Sequence, residues 1–347
     1  MTSLLIDMPS GVAGDMLLAA LIGCGGDVAR MQTDLEALGL GPIAINAKRV
    51  LTGGLSAWLV DVDAPQEAQW QPVGQTPRRN GPVISLNAGS SPSQNPEPRT
   101  ENLHAHRPYR AIRDLIAAAP LVARVRDRAQ RVFRLLAESE AEVHGVDPET
   151  VEFHEVGAVD AIADVVGCCL LLEQLDVDDI VASPIIPGHG TVMCAHGRMP
   201  VPVPAVATML TRTGAPFIAL GRETGELTTP TGCALVCALA TRFIATGTGA
   251  MIAGSPTRFL ATGYGSGHKQ IPGLVNVVRC AVMAGASAEA AASADANVDQ
   301  VVEIRCQIDD ATGEHLAALI DEVMAAGALD AFLTPVIMKK GRPGHLL

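Results

Sequence analysis

The segment that most restricts the fold lies at the start of the chain. Leu4-Leu-Ile-Asp-Met8 is a short apolar run, Pro9-Ser10-Gly11-Val12-Ala13-Gly14-Asp15 is a glycine-bearing turn, and residues 16–22 form an apolar helical run. A strand that passes through a tight turn into a helix opens an α/β architecture, in which helices cover a sheet. The same alternation recurs. Residues 159–175 have the pattern of an apolar helix and 180–186 that of a strand, followed by a Gly/His loop at 188–197. Glu226-Leu-Thr-Thr-Pro-Thr-Gly232 opens a helix at 233–242, and a strand-like region ends at Tyr264-Gly-Ser-Gly267. Strand, helix and strand are predicted again over 301–308, 313–326 and 331–338.

Two stretches interrupt this pattern. From Ala64 to Arg99 seven Pro stand among Ser, Asn, Gln and Gly without apolar periodicity, and Ala281–Val298 is dominated by Ala. Both predict linkers. The expected organisation is therefore an N-terminal α/β segment (1–63), a Pro-rich linker (64–108), a central α/β domain (109–280), an Ala-rich linker (281–298) and a C-terminal piece (299–347). The first and third are expected to pack together. Only nine residues follow the last predicted strand, so the C-terminal piece is expected to be an incomplete domain with an uncovered sheet.

Composition narrows the function. With 25 Lys+Arg against 37 Asp+Glu the net charge is -12, which disfavours binding nucleic acid by general phosphate neutralisation. No apolar run reaches the ~20 residues of a membrane span. The amino terminus lacks the basic region of a signal peptide, and the eight scattered Cys include no paired CxxC. A cytoplasmic protein with reduced thiols is expected. Val125, Ala129, Val132, Phe133 and Leu136 mark the apolar face of a helix. Eight Arg and two Asp between Arg107 and Arg134 suit a solvated face, or an anionic partner.

Three constellations can carry chemistry. Ser10 stands where a helix N-cap would sit, and with Gly11 and Gly14 it presents a helix start suited to a phosphate. Asp7 and Asp15 flank that turn as candidate ligands of a divalent cation. Thr228, Thr229, Thr231 and Gly232 form a second hydroxyl-rich helix start. Glu152-Phe-His154-Glu155-Val-Gly-Ala-Val-Asp160, with Asp164 one turn later, gathers a His and several carboxylates that can hold a metal or supply a base. His196, His189 and Cys194 add borderline and soft donors from the Gly/His loop, whereas Cys168, Cys169, Cys233 and Cys237 fit an apolar core.

Taken in order, the motifs resemble the LarC family of nickel insertion proteins over nearly the whole chain. They are SGxxGDM at Ser10–Met16, FHEVGAVDxIxDVVG at Phe153–Gly167, AHGxxPVPxPA at Ala195–Ala205, ELTTPTG at Glu226–Gly232, the glycine-rich run at 263–267, and MKKxRPG at Met338–Gly344. The resemblance implies insertion of nickel between the two sulfurs of a pyridinium mononucleotide bearing two thiocarboxylates, with a nickel–carbon bond and CTP hydrolysis. The product is the nickel-pincer cofactor of lactate racemase, whose apoprotein would accept it. The resemblance further implies nickel ligands among His154, Glu155, His196, Asp7 and Asp15, and catalytic roles for His154, Glu155 and Asp160, with a base such as His154 or Glu155 taking the ring proton. The substrate phosphate would lie at Ser10, Gly11, Gly14 and Thr228–Gly232. CTP with Mg or Mn would lie at Asp309, Asp310, Lys339, Lys340 and Arg342.

The chain departs from the family where Glu152 replaces a His, and where 64–106 holds only His104 and His106. The C-terminal strand–helix–strand resembles the start of a ferredoxin-like domain. A homo-oligomer is compatible with these features. The segment 299–347 is expected to be loosely held, and CTP binding by this chain alone to be weak or absent. The alternative is a nickel carrier or scaffold without turnover that needs a separate C-terminal polypeptide.

Overall fold

The computed structural model describes residues 2–64, 107–153, 157–194, 197–244, 257–285, 304–337 and 339–347. They fall into two compact units, 1–287 and 288–347. The class is α/β, with mixed sheets and helices in alternation.

The first unit is built on a seven-stranded sheet. In its interior β1 (Thr2–Asp7) runs parallel to β6 (Val177–Ala182) on one side and antiparallel to the central strand β12 (Val277–Gly285) on the other. Beyond β6 lies the two-residue β10 (Arg242–Phe243). Beyond β12 come β11 (Thr257–Ser266), β3 (Leu55–Asp63) and the edge strand β2 (Ala44–Thr52). The predicted N-terminal and central parts thus contribute strands to one sheet. Alternation along β1 sends Leu4 and Ile6 into the main core and Leu5 to a small cluster with Val181, Ala281 and Met283 on the other face.

Helix α1 (Gly14–Gly23) is buried along most of its length, because it lies flat on β11 and β3 while α5 (Val159–Gln174) covers its other side. Two glycines of β11 make that approach feasible: a Cβ on Gly263 would overlap the carbonyl oxygen of Ala20, and one on Gly265 that of Met16. The glycine-rich run at 263–267 is therefore a packing surface. Helix α2 (Val28–Glu36) follows α1, capped by Asp27 through the N–H of Arg30.

Helix α4 (Ala123–His144) buries Val125, Ala129, Val132, Phe133 and Leu136, the face predicted from periodicity. It packs against α3 (Tyr109–Ala118), α5, α6 (Pro204–Thr213) and α7 (Pro230–Leu239), and ends at Gly145 with φ +66°. Its arginines are mostly paired: Arg124 with Glu173 and Asp178, and Arg126 with the carbonyls of Ala119 and Leu121. Two short strands, β4 (Arg107–Pro108) and β5 (Glu152–Phe153), pair just before α5. A hairpin of β7 (Gly188–Cys194) and β8 (Gly197–Val201), with β9 (Gly225–Glu226) beside it, stands outside the main sheet.

Several elements differ from expectation. The Ala-rich segment begins inside β12, where Ala281 is paired with both Leu5 and Thr262; small residues remain strand residues when both neighbours bond them. Arg107 and Pro108, expected in the Pro-rich linker, belong to β4. Helix α7 starts at Pro230, because the Thr229 hydroxyl accepts from the Gly232 N–H and Pro suits the first helical position. The strand expected over 180–186 is shifted to β6, and the chain turns away at Ser183-Pro184.

In the second unit, β13 (Gln307–Ile308), α8 (Gly313–Ala325) and β14 (Thr334–Ile337) are joined by a strand that was not expected, β15 (Pro343–Leu346). It lies between the other two and is antiparallel to both.

Replacing Gly265 by Ala should destabilise the first unit by about 1–3 kcal/mol through overpacking against α1. Urea unfolding followed by circular dichroism measures this, with Gly221→Ala, whose Cβ would enter open space in the same unit, as the reference.

Candidate functional site

Chain topology decides where the motifs meet. Helix α1 leaves the C-terminal end of β1, whereas α5 and α7 precede β6 and β10, both parallel to the same sheet direction. Helices that return across such a sheet run antiparallel to its strands, so all three N-termini gather at one end, where α/β folds hold ligands.

The contacts bear this out. The Val12 N–H donates to the Thr228 hydroxyl at 3.2 Å, and the Thr229 N–H donates to the Val12 carbonyl at 3.0 Å. A Cβ on Gly232 would overlap the Val12 carbonyl, and one on Gly11, whose φ is +85°, would overlap that of Leu227. On the other side, a Cβ on Gly14 would stand 2.5 Å from Asp164 Oδ2. The segments 10–15, 160–164 and 228–232 thus form one contiguous patch, although more than 200 residues separate the outer two.

The hydroxyls expected to face a phosphate have other partners. Ser10 does not cap α1; Ala13 occupies that position without a side-chain bond. Ser10 is buried, donating to the Val277 carbonyl at 3.0 Å and accepting from the Val277 N–H at 2.9 Å, so it rivets the turn to β12. Thr228 donates to the Ile186 carbonyl at 2.8 Å, and Thr229 caps α7. Thr231 is buried in the first turn of α7. Asp7 is likewise committed: its Oδ2 lies 2.6 Å from Nη2 of Arg279, its cross-strand partner on β12.

Asp15 and Asp164 carry the strongest electrostatic signature. Burial pushes the Asp164 carboxyl well above the usual carboxylate range, Asp15 and Asp160 add to the rise, and the Asp15 N–H opposes it by donating to the carboxylate. Among the described residues, Asp164 Oδ1 is inaccessible and has no hydrogen-bond partner. Asp15 is raised mainly by burial, opposed by the Met16 N–H and by His268. His268 Nε2 lies 3.4 Å from Asp15 Oδ2 and 3.4 Å from Asp61 Oδ1. Sequence reasoning missed His268 and Asp61. The available signal for the first was its place directly after the glycine-rich run, whereas Asp61 carried none. Asp160 is exposed at the first turn of α5.

His154, Glu155 and His196 lie outside the described residues. The chain on either side of the first two is firmly held. Phe153 is buried between Tyr109 and Phe133, and the Gly157 carbonyl accepts from the buried Arg107 guanidinium. His189 is exposed on β7, and Cys194 at the end of β7 is half-buried. Cys168, Cys169 and Cys233 are core residues as expected; burial pushes the Cys169 thiol up to about 12. No three His, Cys, Asp or Glu side chains among the described residues already enclose a metal position.

In the second unit, register places the end of β13, the end of β14 and the start of β15 at one edge of the three-stranded sheet. Asp309, Asp310, Lys339 and Arg342 are exposed there, and Lys340 follows Lys339 in the same turn.

Because the folded-state pKa of Asp164 is raised, its contribution to stability is complete below the unfolded value of about 3.9 and is lost as pH rises through the folded value. Asp164→Asn should therefore unfold at a higher temperature than the native chain at pH 8, by about 2–4 °C per kcal/mol released. The gap should close toward pH 4. Thermal unfolding over that pH range checks both parts.

Comparison with known proteins identifies the family. A family model described as "Nickel insertion protein" matches residues 4–347. A Nocardioides protein named pyridinium-3,5-bisthiocarboxylic acid mononucleotide nickel insertion protein is 37% identical over 347 residues, covering 100% of this chain and 74% of the relative. Proteins of the same name from Geobacillus kaustophilus and Staphylococcus saprophyticus are 34% and 35% identical, covering 100% and 99% of this chain and 76% and 74% of theirs. No solved structure matches the chain significantly. A match from residue 4 to the last residue, with relatives above 30% identity across the whole chain, shows that the chain belongs to the nickel insertion protein family.

Proposed function

We propose that this chain inserts nickel into pyridinium-3,5-bisthiocarboxylic acid mononucleotide, the compound that its relatives' names specify. The observation that carries the reading is the convergence of three helix N-termini with the Asp15, Asp160 and Asp164 carboxylates at one end of the sheet. Helix N-termini favour the substrate phosphate by their dipoles, even where the nearby hydroxyls are occupied. Gly11 and Gly232 support it by letting the α1 and α7 starts close on one another, and Gly14 by letting α1 approach Asp164 of α5.

Nickel is the second substrate. Insertion forms a nickel–carbon bond as the ring C–H bond breaks, and the proton passes to a base. His154 or Glu155, which precede α5 in the sequence, fill that role, and Asp160 orients the base or the metal. His196, Asp15 and Asp7 complete the proposed nickel ligands, Asp7 being also paired with Arg279.

CTP with Mg or Mn is assigned to the second unit. Asp309 and Asp310 would hold the metal, and Lys339, Lys340 and Arg342 the triphosphate. The product would pass to lactate racemase apoprotein. No helix among the described residues is long and apolar enough to cross a membrane. We place the reaction in the cytoplasm, where unpaired cysteines stay reduced.

The test is insertion itself: purified chain, the thiolated mononucleotide, Ni2+, Mg2+ and CTP, with the nickel–carbon product followed by mass spectrometry. The native chain should form product, and His154→Ala should lower the rate by about 10²-fold or more with Tm nearly unchanged. Equal loss of stability and rate would assign His154 a structural role. Stoichiometric nickel binding without product would favour the carrier reading.

A further inference from the structure

Next to the α1 start, a groove of about 600 Å3 opens where the tip of the β2–β3 hairpin meets the loop 267–276 that joins β11 to β12. We propose that this groove seats the pyridinium ring and ribose of the mononucleotide, with the phosphate at the α1 N-terminus. The inference rests on the nickel-insertion reading and adds to it the part of the site that recognises the ring.

The groove is built by ties between distant parts of the chain. Thr52 Oγ1 lies 2.7 Å from Ser266 Oγ, which joins the hairpin tip to the end of β11. Gly53 has φ +58°, and a Cβ there would stand 2.6 Å from Cγ2 of Val275, so the tip packs directly on the loop. The loop is closed on itself: the Gly267 N–H donates to the Asn276 carbonyl at 3.0 Å, and Asn276 Nδ2 donates to the Lys269 carbonyl at 3.0 Å. Its shape is thus set before a ligand arrives, and its volume falls in the range of about 300–1,000 Å3 common to small-molecule sites.

Position is the second argument. His268 lines the groove, and its Nε2 lies 3.4 Å from Oδ2 of Asp15 in the first turn of α1. A Cβ on Gly267, the preceding residue, would stand 2.9 Å from Sδ of Met16. The groove and the α1 start therefore share a border, and one nucleotide can span both. A ring held there lies beside Asp15, one of the proposed nickel ligands.

Chemistry is the third. The ring is flat, with apolar faces and two anionic thiocarboxylates on its edge. The groove offers exposed apolar side chains, Leu51 at 77% and Val275 at 38% exposure, beside the N–H donors of His268, Lys269 and Gln270. Among the described residues no Asp or Glu lines it, although the chain has 37. Apolar walls with cationic and amide donors and without carboxylates suit an anionic aromatic ligand. The cavity between α4 and the β7–β8 hairpin is the opposite case. It measures about 130 Å3 and is lined by Glu140 and Glu226, which repel thiocarboxylates.

The experiment uses the full chain and the thiolated mononucleotide, without nickel or CTP. At about ten times its Kd the ligand should slow acetylation of Lys269 about tenfold, while the exposed Lys339 reacts at an unchanged rate, as read by peptide mass mapping. Inorganic phosphate and CTP should leave both rates unchanged. Leu51→Glu and Lys269→Ala should each weaken binding of the mononucleotide about tenfold in calorimetry, with circular dichroism unchanged. Unchanged Lys269 labelling in ligand excess overturns the proposal, as does equal protection by phosphate or CTP. Should a variant fail to fold, the labelling of the native chain still decides. The two readings also separate. Lys269 protected without any insertion in the complete assay would sink the functional reading and leave the groove, whereas insertion with Lys269 unprotected would sink the groove and leave the function.

Discussion

The structure depends on backbone approaching backbone without a side chain between. At Gly11, Gly232, Gly263 and Gly265 a single methyl group would overlap a carbonyl oxygen of a neighbouring element. These four positions fix how closely α1 lies on the sheet and how closely α7 closes on the turn that precedes α1. Overpacked interiors relax poorly, so each glycine constrains an interface and not merely a local torsion. The site exists because two helix starts are brought within hydrogen-bond distance, as the exchanges between Val12, Thr228 and Thr229 show.

Electrostatics then distinguishes this end of the sheet from the rest of an acidic protein. Surface charges elsewhere include paired groups, such as the Arg124 network and the Arg212 bridges to Glu138 and Glu142. Asp164 is different: it lies under the α1 N-terminus with one oxygen satisfied by a backbone N–H and the other by nothing among the described residues. A carboxyl held there opposes the stability of the fold when it ionises, which is the kind of local cost that functional sites carry. His268 and Asp61 extend the cluster toward solvent.

The division between the two units also bears on chemistry. The first holds the three helix starts, while the second gathers acids and cations at one end of a small sheet. Its third strand, β15, satisfies the edges of both β13 and β14, and its entry through Arg342 draws Lys339 and Arg342 to the same end as Asp309.

Much of this was legible in the sequence, because the relevant forces are local. The β1–turn–α1 start, the apolar face of α4 and the long apolar α5 follow from periodicity and glycine placement, and the order of motifs along the chain identified the family. Tertiary structure decided the rest. Whether Ser10 caps α1 or bonds Val277 depends on a strand 267 residues away. Ala281 is strand and not linker because β1 and β11 flank it, and α7 begins at Pro230 because Thr229 folds back on Gly232. Asp7 pairs with a cross-strand arginine, and Asp61 joins the site from a strand that carries no motif. In each case the partner is distant in the chain, and residue type alone does not specify which of several available partners a hydroxyl, carboxylate or small side chain will meet.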